Sequence, residues 1–108
     1  MAADYTPREV AALLAQGGVQ LVDVREQFEV DAGRIAGGVH IVLSELSGRA
    51  AEIERERPVI FYCRSGSRSA MAAEAFAGAG YDAHNMTGGM IEWTAVGLPI
   101  EPEDGHVA

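Results

Sequence analysis

The chain has 108 residues, 48% of them hydrophobic and 22% charged, and its 8 basic and 16 acidic side chains leave a net charge of -8. Such a length supports one domain of ordinary globular composition, and the acidic balance excludes the broad basic footprint of a nucleic-acid binder. No apolar run approaches the roughly 18 residues of a membrane span.

Further exclusions come from individual residue types. The start, Met1-Ala2-Ala3-Asp4-Tyr5, has neither the basic opening nor the apolar stretch of a signal peptide. A single cysteine allows no internal disulfide, so the cytoplasm is the expected location. All eight basic residues are arginine, and without lysine there is no Walker A loop and no Schiff base. His40, His84, His106 and Cys63 lack the close spacing of a zinc site, so neither a metal nor another cofactor is expected.

In chain order, Thr6-Pro7-Arg8-Glu9 predicts a helix opening, with Thr6 as cap, Pro7 at the first helical position and Glu9 completing a capping box. Val10, Leu13 and Leu14 form its apolar stripe, and Gly17-Gly18 end it. Val19–Val24 is short, apolar and β-branched, which predicts a buried strand. A short helix over Glu26–Ala32 and the turn residues Gly33, Gly37 and Gly38 follow. Val39–Val42 predicts a second strand, and the alternating acidic and arginine residues between Ser44 and Glu56 predict a polar helix. Pro58 closes it before the strongest strand signal, Val59-Ile60-Phe61-Tyr62, which places Cys63 at a strand's carboxyl end.

The polar turn Arg64-Ser65-Gly66-Ser67 leads into a helix reaching about Ala79, with Ala72, Ala75, Phe76 and Ala79 as its apolar face and Gly80 as its stop. A last strand over Ala83–Met86 precedes Gly88-Gly89, a helix around Met90–Val96 and the turn Gly97-Leu98-Pro99. Residues 101–108 are polar and expected to fray. Helices alternating with strands that are apolar on both faces predict an α/β fold, a parallel sheet covered by helices on both sides. In such sheets ligands bind beyond the carboxyl ends of the strands, where Cys63 lies together with Asp23 and Arg25.

The segment Cys63-Arg64-Ser65-Gly66-Ser67-Arg68 carries the main chemical signal. A strand-to-helix turn aims backbone N–H groups inward and adds the positive end of a helix. Gly66 allows a backbone path that a side chain would obstruct, and Arg64 and Arg68 add positive charge. A cysteine in such a cradle has a depressed pKa without a histidine partner, and the cradle would hold an anion against the sulfur. The competing reading is a buried, inert cysteine ending an apolar strand. The turn that follows favours a nucleophile.

With those residues assembled, the chain resembles a single-domain rhodanese, a sulfurtransferase. Leu21-Val22-Asp23-Val24-Arg25-Glu26 is similar to the family's first signature. Gly33-Arg34-Ile35-Ala36-Gly37-Gly38 is similar to its second, usually Gly-His-Ile-Pro-Gly-Ala. The stretch Phe61-Tyr62-Cys63-Arg64-Ser65-Gly66-Ser67-Arg68-Ser69, then Gly88-Gly89 and Trp93, resembles the active-site half. The likeness runs over roughly residues 6–100 of a single domain spanning 1–108.

It implies a persulfide mechanism in which Cys63 takes sulfur from thiosulfate or a related anionic donor and yields it to a thiol, cyanide or an acceptor protein. The amides of Arg64, Ser65, Gly66, Ser67 and Arg68 would cradle the persulfide or anion, and Arg64 would attract the donor. Arg68 would either do the same or pair with a carboxylate to brace the turn, with bracing favoured. Arg34, Ala36 and Gly38 depart from the second signature, which implies altered local packing. Ser65 stands where some members place another basic residue.

Two other functions compete with sulfur transfer. One is a binding or regulatory module that reuses the fold. The other is a small phosphatase or arsenate reductase, disfavoured because Cys63 and Arg68 enclose four residues and the related phosphatases have five. With one cysteine, no second thiol can resolve a persulfide within the chain. Asp23 and Arg25 either orient the turn or are structural, as a plain salt bridge or solvent-facing charges. Trp93 reads as core, Met71, Met86 and Met90 as packing, and His40 and His84 as structural residues. Glu52, Glu54, Arg55, Glu56 and Arg57 read as a solvated, paired helix face.

Overall fold

The structure, a computed structural model, describes residues 3–108. The part of the leader reading and of the single-domain span that falls on Met1 and Ala2 lies outside the described residues. The elements are β1 (Ala3–Tyr5), α1 (Pro7–Gln16), β2 (Gln20–Asp23), α2 (Gln27–Ala32), β3 (Val39–His40), β4 (Val59–Tyr62), α3 (Ser67–Gly78), β5 (Ala83–Met86) and α4 (Gly89–Ala95). The five strands form one parallel sheet in the order β1-β5-β4-β2-β3. The predicted α/β class is the one observed.

Alternation along the strands builds two cores, because successive side chains leave a strand on opposite faces. Val22, Phe61 and Cys63 face Ala72, Ala73 and Phe76 of α3. Leu21, Ile60 and Tyr62 face Val10 of α1 and Met90 and Trp93 of α4. All four residues of β4 are buried. From β2 the chain moves outward to β3, then returns across β2 to β4 and on to β5. The order therefore reverses between β2 and β4, and the crevice beyond their carboxyl ends is where such sheets bind ligands. Asp23 ends β2 and Cys63 follows β4.

The start of α1 has the predicted chemistry. Glu9 N–H donates to Thr6 Oγ1 at 3.2 Å and Thr6 N–H donates to Glu9 Oε1 at 2.9 Å. Ahead of it, β1 was not legible in the sequence. Its three residues are too few to show alternation, and they become a strand only by pairing with His84–Met86 of β5.

Several expectations are corrected. The helix between Ser44 and Glu56 does not form; two 3₁₀ segments, Leu43–Glu45 and Ser47–Glu52, stand there, the second kinked at a non-helical Arg49. Only Leu46 and Ile53 are fully buried in that stretch, so it lacks the apolar stripe that holds a helix to a core. The Gln20 side chain also fixes the following residues in a non-helical path, accepting from Glu54 N–H and donating to the carbonyls of Glu54 and Arg57. Of the i, i+3 pairs expected there, Arg57 with Glu54 forms all the same, while Glu52 pairs instead with Arg49 and Arg55 donates to Ala79 O.

The second predicted strand shortens to Val39–His40. On α3 the buried side is Ser69, Ala72, Ala73 and Phe76, while Ala75 and Ala79 are exposed. Met86 and Met90 are fully buried, but Met71 is 60% exposed and packs no core. Residues 101–108, expected to fray, are tied down. Arg34 and Glu101 exchange backbone hydrogen bonds, His106 N–H donates to Ala32 O, and Val107 joins the α1/α4 core. Apolar packing and backbone pairing outweigh the polar composition of the tail. Among the described residues, no helix is long and apolar enough to cross a membrane.

Candidate active site

Cys63 is buried at the carboxyl end of β4, and the chain turns through Arg64 and Ser65 to Gly66, the N-cap of α3. Gly66 holds φ at 104°, in the left-handed region where a side chain is strained. A Cβ there would also come within 3.2 Å of Gly88 N. The turn is clamped from above by the start of α4. Met90 N–H donates to Cys63 O at 2.9 Å and Ile91 N–H to Arg64 O at 3.0 Å. Gly89 makes that approach possible, since a Cβ on it would lie 2.4 Å from Cys63 O.

The sulfur accepts hydrogen bonds from the Gly66 amide at 3.1 Å and from the Ser69 hydroxyl at 3.3 Å. Burial by itself pushes the thiol's pKa up. The hydroxyl of Ser69 and the amides of Ser69, Gly66 and Ser65 outweigh it, so Cys63 titrates below an ordinary cysteine. The direction expected from the sequence holds, and its cause is hydrogen bonding, from Ser69 of α3 first and then from the amides of the turn.

The two arginines of the turn have different surroundings. Arg68 reaches back to α2 and pairs in bidentate fashion with Glu29, Nη1 to Oε2 at 2.8 Å and Nη2 to Oε1 at 2.9 Å. Of the two expectations for Arg68, the structure displays the brace. Glu29 accepts from the Glu26 amide as well, and these bonds, that to Arg68 foremost, hold its carboxyl below the usual carboxylate range against the opposing effect of burial. Arg64 is exposed, and its Nε donates to the carbonyl oxygen of Ala108 at 2.8 Å. Expected to attract a donor, it is engaged by the C-terminal segment. Ser65 and Ser67 are exposed on the turn, Ser67 as the first residue of α3.

Asp23 and Arg25 form a salt bridge, but a buried one, with Arg25 fully enclosed. The guanidinium donates to both Asp23 oxygens, to Gly33 O at 2.8 Å and to Glu29 O at 3.3 Å, and it lies 5.5 Å from the Tyr62 ring centroid. Burial works against its charge; the Asp23 carboxylate more than offsets this and its pKa is raised. The pair therefore ties down α2 at Glu29 in its middle and at Gly33, its C-cap, and Glu29 then fixes Arg68. Its connection to the cysteine turn is indirect and passes through Glu29.

Sequence reasoning missed three residues here: Glu29, Ser69 and Asn85. Ser69 Oγ donates to Asn85 Oδ1 at 2.6 Å, on β5. The signal for Ser69 was its place at i and i+3, i+7 with Ala72 and Phe76, which turns it inward. For Asn85 it was two-residue spacing from Ala83 on a buried strand. Glu29 gave no signal, because its partner lies 39 positions away. Other residues read as structural are so placed. Trp93 is core, with Nε1 donating to Pro99 O. His40 donates to Arg25 O and His84 pairs with Asp82.

Residues 6–96 match the rhodanese-like domain. A sulfurtransferase of Allochromatium vinosum is 38% identical over 88 residues, covering 81% of this chain and 82% of that protein. An HTH-type transcriptional regulator of Mycobacterium tuberculosis is 40% identical over 88 residues, covering 79% of this chain but only 38% of the regulator. The crystal structure of a rhodanese-related protein from Thermoplasma volcanium superposes with a TM-score of 0.85 at 28% identity, covering 91% of this chain and 96% of that one. With a family match across most of its length, the chain belongs to the rhodanese-like family.

Proposed function

We propose that the protein is a sulfurtransferase that carries sulfane sulfur on Cys63. The observation that supports this most is the hydrogen-bonded sulfur at the sheet's switch point, with Gly66 N–H at 3.1 Å and Ser69 Oγ at 3.3 Å. Such a thiolate attacks the outer sulfur of thiosulfate, forming an S–S bond as the bond to sulfite breaks. Sulfite leaves with the electron pair and Cys63 becomes a persulfide anion. Cyanide, a small thiol or an acceptor protein then attacks the outer sulfur and returns Cys63 as thiolate. With a single cysteine in the chain, the acceptor is external. A reduced thiol at the reacting position suits the cytoplasm.

The anion meets the amides of the turn, and Arg64 supplies the positive charge that draws it in once its bond to Ala108 opens. Arg68, occupied by Glu29, holds the turn in shape. That occupation counts against phosphoryl transfer, which needs a free arginine around the larger group. A binding or regulatory role is the second reading, supported by the likeness to the transcriptional regulator.

Intact-mass measurement after brief thiosulfate treatment, with Cys63→Ser in parallel, tests the proposal. The expected result is gain of one sulfur on the wild type alone, removed by cyanide with release of thiocyanate. No gain from thiosulfate or from an organic persulfide donor overturns it. In that event, aryl-phosphate turnover lost in Cys63→Ser would support a phosphatase, and a partner complex retained by Cys63→Ala a binding module.

A further inference from the structure

The hydroxyl of Ser69 has one proton and two buried acceptors, Cys63 Sγ at 3.3 Å and Asn85 Oδ1 at 2.6 Å. Ser69 and Cys63 are fully enclosed and Asn85 is 5% exposed, so bulk water does not stand in for either acceptor. The arrangement follows from alternation on β5, which turns Asn85 to the same face as Ala83 and so toward α3. Among the described residues no buried side-chain nitrogen or oxygen lacks a partner. With one hydroxyl proton between the two acceptors, what Ser69 gives to one is withdrawn from the other, while the Gly66 amide stays on the sulfur in either case.

We propose that Asn85 is the second seat for the Ser69 proton, a positioning residue that acts on Cys63 through Ser69. When the sulfur is a thiolate, the hydroxyl turns to it and stabilises the charge. When Sγ carries a second sulfur, the charge lies on the outer atom within the turn, and the hydroxyl returns to Asn85. One rotor thus serves both forms without leaving a buried donor unpaired. Asn85 competes with the sulfur for the proton, and so holds the free thiol's ionisation above the value Ser69 alone would set. The proposal rests on the reading of Cys63 as the nucleophile.

Arg68 of α3 senses the sulfur and is paired with Glu29 of α2; Arg64 stands in the turn, and the Asp23–Arg25 pair at the end of β2 reaches it only through Glu29. None of these changes in the variants that follow. The test is the pH dependence of Cys63 alkylation by iodoacetamide in the wild type, Asn85→Ala, Ser69→Ala and the double variant, with folding checked by circular dichroism.

Ser69→Ala moves the midpoint up. Asn85→Ala moves it down, by about half a pH unit, the scale of one neutral hydrogen bond. In the Ser69→Ala background, Asn85→Ala has no effect. Should Asn85→Ala fail to fold, Asn85→Asp keeps the shape and offers only acceptor oxygens. It moves the midpoint up, and by more with Ser69 present than without it. A midpoint unmoved or raised in Asn85→Ala, or an effect equal in both backgrounds, overturns the proposal. Alkylation needs no sulfur donor, so failure of the sulfurtransferase reading would appear separately, as absent sulfur uptake with these shifts intact.

Discussion

Replacing Glu29 by glutamine keeps the shape of the side chain and removes its charge, which isolates the brace between α2 and the cysteine turn. Two hydrogen bonds of 2.8 and 2.9 Å from Arg68 converge on this carboxylate, and a third comes from the Glu26 amide. Hydrogen bonds to charged groups contribute about 1.5–3 kcal/mol. Arg68 is 30% exposed and Glu29 6%, so solvent screens the pair and the lower figure applies. One bidentate partner is lost while glutamine's oxygen still accepts from the other nitrogen. The expected cost is about 1.5 kcal/mol, or about 1 M in the urea midpoint for a small domain.

The pH dependence makes the test sharper. The folded protein holds the Glu29 carboxyl below its unfolded value, which is about 4.3. Its stabilisation is therefore fully present above that value and is lost as pH falls through the folded one. Wild type and Glu29→Gln should differ most near neutrality and converge in acid, since a protonated glutamic acid resembles glutamine. Arg68 also senses the sulfur. Once its counter-charge is gone, the Cys63 thiolate is favoured and the alkylation midpoint falls while stability falls too. A stability gap that is the same in acid as near neutral pH would refute the electrostatic argument. So would a rise in the alkylation midpoint.

Two further perturbations test the clamp and the buried pair. Gly89→Ala puts a Cβ 2.4 Å from Cys63 O and 2.5 Å from Arg64 O at a φ of 56°, and should cost about 3 kcal/mol or more by chemical denaturation. Gly48→Ala, with nothing within 4 Å of the added atom, should stay within about 0.5 kcal/mol of wild type; equal effects would refute the clamp. Arg25→Met strands Asp23, which is 2% exposed, and should lower stability by about 3–5 kcal/mol. Asp23→Asn combined with Arg25→Met should recover part of that loss, and a single variant as stable as wild type would show that the pair does not hold α2.

How much of this was legible depended on how local each cause is. The capping box of α1 was, because Thr6 and Glu9 are three positions apart and satisfy each other's backbone. So was β4, whose four apolar residues before a polar turn have few alternatives to a central strand. The polar stretch between Ser44 and Glu56 misled because charge alternation allows a helix without requiring one. Its end is held out of a helix by Gln20, which bonds Glu54 from 34 positions earlier in the chain.

At the site the division is the same. The residues from Cys63 to Ser69 determine by themselves a strand-to-helix turn, a glycine in the left-handed region and a sulfur among amides, since all of these lie within one short segment. They do not determine what Arg68 does, where Arg64 points or what else the Ser69 hydroxyl meets. Glu29, Ala108 and Asn85 decide those, and they come from α2, the C-terminal segment and β5. Only the parallel packing of the strands and the clamp by Gly88-Gly89 bring them together. A hydrogen bond needs its partners within about 3 Å in space, whereas the sequence fixes distance only along the chain.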